Sequence, residues 1–216
     1  MPDLTFRIEE AQAVAFAAQP TLALKMHITN AAVEETIHTV VLRAQIQIEA
    51  PRREYSAAEK QQLLDLFGEP ERWGRTLRPM LWTHVSSVIS SFTGSTTADL
   101  HVPCTFDFNV AVTKYIHALA DGDIPLDLLF SGTVFYEGAE GSLQVAPISW
   151  DKEARFRLPV RTWREMMGLY YPNSAWLSLR RDVFANLYEY KMRAGIPTWE
   201  EAIEKLLAAQ QELAPP

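Results

Sequence analysis

The sequence predicts an α+β fold: an antiparallel β-sandwich of about eight strands with a short inserted helix and a C-terminal group of about three helices. Three observations predict it. Short runs of alternating apolar and polar residues, separated by turn residues, recur over residues 20–147. The crossover helices that a parallel sheet needs are missing between most of these runs. Beyond residue 160 the apolar spacing turns helical. The expected organisation is a sandwich over 1–160 carrying the inserted helix, with helices over 161–210 packed on it as part of the same domain.

In residues 20–30, Leu22, Leu24, Met26 and Ile28 alternate with Ala23, Lys25, His27 and Thr29, the pattern of a half-buried strand. Val40, Leu42, Ala44, Ile46 and Ile48 repeat it against Thr39, Arg43, Gln45, Gln47 and Glu49, so the two runs predict a hairpin with one face in the core. Ser56 and Glu59 form a capping box ahead of Leu63, Leu64 and Phe67, which predicts a short helix ending near Gly68. Residues 69–79 have neither period and read as an ordered loop packed by Trp73. Residues 80–92 place apolar side chains on irregular faces, but their β-branched and hydroxyl residues favour a strand.

Further strands are expected at 96–102, at Phe106, Phe108, Val110 and Val112, at Leu126, Leu128, Phe130, Val134 and Tyr136, and at Leu143 and Val145. Asp121-Gly122 and Gly138 to Gly141 supply turns between them. Thr162 with Glu165 and Thr198 with Glu201 read as further capping boxes, and Ser174 as the cap of a helix bearing Trp176, Leu179, Val183, Leu187 and Tyr190. The N-terminal residues 1–10 are mixed polar and show no secretory segment.

With 20 Lys+Arg against 27 Asp+Glu the net charge is −7, which disfavours phosphate backbones and anionic lipid. No apolar run approaches the ~20 residues of a membrane span, so a cytoplasmic protein without membrane insertion is expected. Phe92 to Thr97 contains only Gly94 and lacks the second glycine and lysine of a phosphate loop, and neither Ser95 nor Ser131 has the flanking glycines of a hydrolase elbow. Asp99, Asp107, Asp121, Asp123 and Asp127 fall on polar strand faces or in a turn, where a solvated surface explains them. No catalytic residue and no cofactor follow from the residues.

Two constellations remain. Arg72, Trp73, Arg75, Arg78, Trp82 and His84 place arginines at a spacing of three among two tryptophans, a composition suited to binding a protein partner. The competing role for the same residues is structural, with the tryptophans anchoring the loop and the arginines paired to Asp65, Glu69 and Glu71. His101 and Cys104 have a spacing that brings imidazole and thiolate together at a strand end, with His27, His84 or His117 as further metal ligands. Cys104 is the only cysteine, and a small buried apolar role for it competes with metal binding. A third possibility is a small ligand held between the sheets by Phe106, Phe108 and Phe130.

The stretches 72–84, 92–96, 102–107, 129–134, 163–167 and 171–174 together resemble a bacterial family of proteins of unknown function, over nearly the whole chain. The resemblance implies a setting, because such proteins are often encoded beside the structural and maturation genes of high-affinity, oxygen-tolerant nickel–iron hydrogenases. It implies no catalytic residues. The expected function is a non-catalytic accessory or assembly protein whose partner is a hydrogenase subunit or maturation factor; the alternatives are the His101–Cys104 metal site and the ligand-binding sandwich.

Overall fold

The computed structural model describes residues 2–105, 110–138, 141–174, 177 and 179–213, the last three of these by backbone alone. Two compact units divide it, Met1–Ser174 and Ala175–Pro216. Among the described residues the first unit holds nine strands in two antiparallel sheets: β1 (Leu4–Ala13), β2 (Thr21–Asn30), β3 (Thr36–Ile48), β4 (Met80–Ile89), β5 (Phe92–Thr93), β6 (Ser95–Pro103), β7 (Asp123–Glu137), β8 (Leu143–Pro147) and β9 (Glu153–Pro159). One sheet has the order β1-β2-β6. The other runs β4-β3-β7-β8, with β9 pairing the first half of β7 and β5 pairing the start of β3.

The alternation of β2 and β3 builds the core as the pattern predicts. Leu22, Leu24, Met26 and Ile28 are fully buried from one sheet, and Leu42, Ala44, Ile46 and Ile48 from the other. Each large aliphatic side chain so buried contributes roughly 1.5–3 kcal/mol. Phe6 of β1 stacks on Phe130 of β7 at 4.4 Å, joining the two inner faces of the sandwich. The two strands do not pair with each other, however. β2 lies between β1 and β6 while β3 lies between β4 and β7, so the predicted hairpin is a connection from sheet to sheet. Gly132 lets β3 and β7 approach closely: its φ is +143°, and a Cβ there would lie 2.0 Å from the Val41 carbonyl oxygen.

Between β3 and β4 the chain forms α1 (Ala57–Gln62), α2 (Leu64–Phe67) and α3 (Trp73–Thr76), with 3₁₀ turns at Ala50–Arg52 and Pro70–Arg72. The Ser56–Glu59 capping box is complete, and α2 stops at Gly68 with φ +70°. Residues 69–79 thus contain short helical turns where the sequence showed no period. α4 (Val110–Ala118) replaces the strand expected at Val110 and Val112. Val112, Tyr115 and Ile116 are the residues it buries at helical spacing, and two apolar residues two apart are too few to separate the periods. Phe106 to Asn109 lie outside the described residues.

α5 (Val160–Tyr170) also belongs to the first unit and packs along β1, β2 and β9. It begins two residues before Thr162, which is buried inside its first turn and caps nothing; Pro159 precedes the helix and fixes its entry. In the second unit α6 (Arg181–Arg193) starts well after Ser174, its N-cap position being Arg180. Trp176 lies outside the described residues. α6 ends in a Schellman turn, in which Gly195 (φ +63°) donates to the Met192 carbonyl and Ile196 to that of Lys191. α7 (Trp199–Leu213) follows, and the Thr198 hydroxyl accepts from the Glu201 N–H at 3.2 Å as its capping box predicts. No helix among the described residues is long and apolar enough to cross a membrane.

Candidate functional site

The loop singled out by its arginines and tryptophans divides between core and solvent. Trp73, 9% exposed, donates its Nε1–H to the Gly68 carbonyl at 2.9 Å and meets Tyr55 and Phe67 edge-on. Trp82, 4% exposed, is the extra residue of a β-bulge: Ile46 pairs with Thr83 and Gln47 with Leu81, so Trp82 and Thr83 are buried in succession. Neither indole offers a contact surface. Arg72, Arg75 and Arg78 are exposed and form no ion pair among the described residues, and Asp65 pairs instead with Lys114 at 3.5 Å.

His101 lies on β6 and Cys104 just beyond its end, and the two differ in exposure. His101 is exposed, whereas Cys104 is buried and donates its thiol to the Val102 carbonyl. Burial pushes the Cys104 pKa up to about 12, away from the thiolate that metals and electrophiles require. We expect Cys104 to react with a thiol reagent only as the protein unfolds; complete labelling within seconds under native conditions would contradict its burial. His27 lies on the outer face of the small sheet near Thr97, His84 on the outer face of the large sheet, and His117 on α4 edge-on to Trp163. Among the described residues no three His, Cys, Asp or Glu side chains are grouped to hold a metal. Phe130 fills the space between the sheets with Phe6, and Phe106 and Phe108 lie outside the described residues. Asp127 and Asp123 are engaged by Arg52 and Arg157.

The large sheet leaves its outer face open. Reading across the register, His84, Gln45 and Leu129 form one row, Ser86, Arg43 and Ser131 the next, and Val88, Val41, Thr133 and Pro147 the third. Phe135 and Val145 continue the apolar part. Val88 is 69% exposed, and Val41, Leu129 and Val145 also face solvent. Outward positions of a solvated antiparallel sheet are ordinarily polar. At the rim stands Trp150, 92% exposed, over a shallow hollow of about 420 Å³ lined by Arg43, Gln45, His84, Leu129, Phe130, Ser131 and Trp150. His84 Nε2 and Gln45 Oε1 are 3.1 Å apart, and no ion pair holds Arg43 among the described residues. The hollow therefore presents an indole, a cation and neutral hydrogen-bonding groups beside an apolar row, with no carboxylate in its lining.

The family model of DUF6084, a family of unknown function, matches residues 1–215. The chain belongs to that family. No curated protein matches the DUF6084 chain. Among solved structures, the DUF6084 chain is similar to a protein named for the late embryogenesis abundant class, at 16% identity and a TM-score of 0.31, over 74% of this chain and 72% of that one. It is also similar to a protein named ApaA from Bordetella pertussis, at 16% identity and a TM-score of 0.23, over 73% and 93% of the two chains. A third similar structure is β-glucosidase 3B from Thermotoga neapolitana, at 9% identity and a TM-score of 0.25, over 72% of this chain and 17% of that enzyme. Likeness of this degree bears on neither activity nor ligand.

Of the open face, the sequence reading reached only His84. Val41, Arg43, Val88, Leu129 and Trp150 were missed, although two of them leave a signal. Val41 follows Val40, and Val88 precedes Ile89, so each breaks the alternation by putting an apolar residue where a one-sided strand carries a polar one. Trp150 has no local pattern to reveal it.

Proposed function

We propose that this DUF6084 protein is a non-catalytic accessory or assembly protein of the cytoplasm that binds a protein partner on the outer face of its large sheet. The observation that supports this most is the apolar row through Val88 and Val41, exposed beside the hollow that holds Trp150 and Arg43, an arginine with no ion pair among the described residues. Contiguous apolar surface edged by an aromatic and an arginine is the composition of a binding hot spot. Arg72, Arg75 and Arg78, in and around the helical turns that lead into β4, are exposed and form no ion pair among the described residues, and they favour a partner whose surface there is acidic. The family resemblance directs the choice of partner to a nickel–iron hydrogenase subunit or one of its maturation factors.

The test is co-purification from the native host with the hydrogenase expressed, comparing tagged wild type with a Val88→Glu/Trp150→Ala variant. Both positions are exposed, so the variant should stay folded, within about 0.5 kcal/mol of wild type. The reading requires a hydrogenase subunit or maturation factor to be recovered with wild type and lost with the variant. Equal recovery with both moves the binding surface elsewhere, and recovery of neither class of partner removes the proposal.

A further inference from the structure

Arg43 stands within the open sheet face with no acid of the described residues paired to it. It lies on β3, between β4 and β7, and the register sets Ser86 on one side of it and Ser131 on the other. All three side chains are exposed, and Arg43 forms neither an ion pair nor a hydrogen bond among the described residues. In the next two rows, through Leu129 and Asp127, the acids are already engaged: Glu153, opposite Leu129, pairs with Arg155 at 3.4 Å, and Asp127 with Arg52 at 2.9 Å. Asp151, beside Trp150, takes a hydrogen bond from the Ser149 hydroxyl. The hollow therefore offers one permanent cation and neutral hydrogen-bonding groups, with no carboxylate in its lining.

Trp150 is held in place at the rim. The turn that carries it closes with a hydrogen bond from the Lys152 N–H to the Ser149 carbonyl. Both ends of that turn are tied to β7, Ile148 donating to the Gly132 carbonyl and Phe130 donating to the Lys152 carbonyl. The indole thus keeps its position although it is 92% exposed.

These groups select one kind of ligand. A guanidinium forks onto a carboxylate through two parallel N–H bonds, and hydroxyls on either side can donate to the remaining lone pairs. One cation matches one carboxylate, whereas a phosphate dianion would require a second. Two residues along β3, about 7 Å away, Val41 pairs with Val88 in the apolar row. A ligand that meets both must set a carboxylate about 7 Å from an apolar side chain, the spacing of residues i and i+2 on one face of an extended chain. A second copy of the protein does not supply this through the same face, because a two-fold axis there sets the hollow against another hollow that also lacks a carboxylate.

We infer, resting on the partner surface proposed above, that the hollow takes an aspartate or glutamate side chain of the partner. Arg43 grips the carboxylate between Ser86 and Ser131, Trp150 flanks it, and an apolar residue two positions away in an extended segment of the partner covers Val41 and Val88.

The full chain, isotopically labelled for NMR, is titrated with acetyl-Leu-Ser-Asp-Ser-Leu-amide, whose one charge is the carboxylate, and with the same peptide carrying Asn or phosphoserine in place of Asp. The Trp150 indole N–H reports binding and is assigned by its loss in Trp150→Phe. The Asp peptide should shift it saturably with a Kd on the order of 1 mM, and the Asn peptide should bind at least about tenfold more weakly. In Arg43→Gln, shown to be folded by circular dichroism, the Asp peptide should weaken by the same factor while the Asn peptide is unchanged, and Arg43→Lys should recover part of the loss. No saturable shift at about 10 mM Asp peptide, equal binding of the Asp and Asn peptides, or wild-type binding of the Asp peptide by Arg43→Gln would each overturn the inference. Tighter binding of the phosphoserine peptide would overturn it in favour of a phosphate. Co-purification with Val88→Glu/Trp150→Ala decides the partner face separately, so either can fail while the other stands.

Discussion

Replacing Arg53 by alanine is expected to destabilise the first unit by about 3–5 kcal/mol, as removing one partner of a buried ion pair does elsewhere. The Arg53 and Glu59 side chains are 10% and 6% exposed and meet at 2.7 Å. Arg53 also donates to the carbonyls of Asp121 and Asp123, while Glu59 accepts from the N–H groups of Ser56 and Ala120. The pair therefore ties the segment after β3 to the turn that opens β7, and its loss strands a carboxylate inside the protein. Urea unfolding of wild type and variant measures the difference; a change below about 1 kcal/mol would mean that the pair carries little of the fold.

The same carboxylate sets an acid dependence. Burial pushes the Glu59 pKa up, but hydrogen bonds from the Ser56 and Ala120 backbone, from Arg53 and from the Ser56 hydroxyl outweigh it and bring the value from 4.5 to about 2. The folded value lies below the unfolded one, so the stabilisation is complete above about pH 4.5 and disappears as pH falls toward 2, an effect of about 3 kcal/mol. In Arg53→Ala that acid dependence should shrink, because one of the lowering contacts is gone while the burial remains. Unfolding midpoints collected from pH 6 to about pH 3 would show it, and parallel curves for the two proteins would refute this assignment.

Trp73→Ala carries the second large effect, a loss of about 3–5 kcal/mol from emptying a buried aromatic site. Its ring touches Tyr55 and Phe67, and Tyr55 hydrogen-bonds the buried Tyr115 hydroxyl at 2.8 Å, so the cavity would open in the layer that joins the inserted helices to α4. Trp73→Phe keeps most of the ring and gives up the hydrogen bond to Gly68, which should cost nearer 1 kcal/mol. If both variants unfolded at the wild-type denaturant concentration, Trp73 would have to be a surface residue.

What was legible in the sequence follows the strength of the local signal. β2 and β3 alternate over four or more apolar positions, and the Ser56–Glu59 box names its own helix, so both were readable without the fold. The irregular parity of β4 came from the bulge at Trp82, which no single-strand pattern discloses because the extra residue exists only relative to β3. β1 escaped notice although Leu4, Phe6 and Ile8 alternate with Thr5, Arg7 and Glu9; three core positions next to a polar stretch gave too little contrast. The aromatic loop was visible as unusual, yet composition alone does not say whether a tryptophan points inward. Exposure was decided by register and by the bulge, and the open sheet face depends on which strands stand side by side, a long-range property.

The most direct test of a partner on that face is site-specific photo-crosslinking in the native host, with a benzophenone side chain introduced in place of Val88 and, in a separate protein, in place of Glu9 on the other sheet. An adduct is expected between position 88 and a hydrogenase subunit or maturation factor, and none from position 9. Absence of an adduct at position 88 while the partner co-purifies, or equal adducts from both positions, would contradict it.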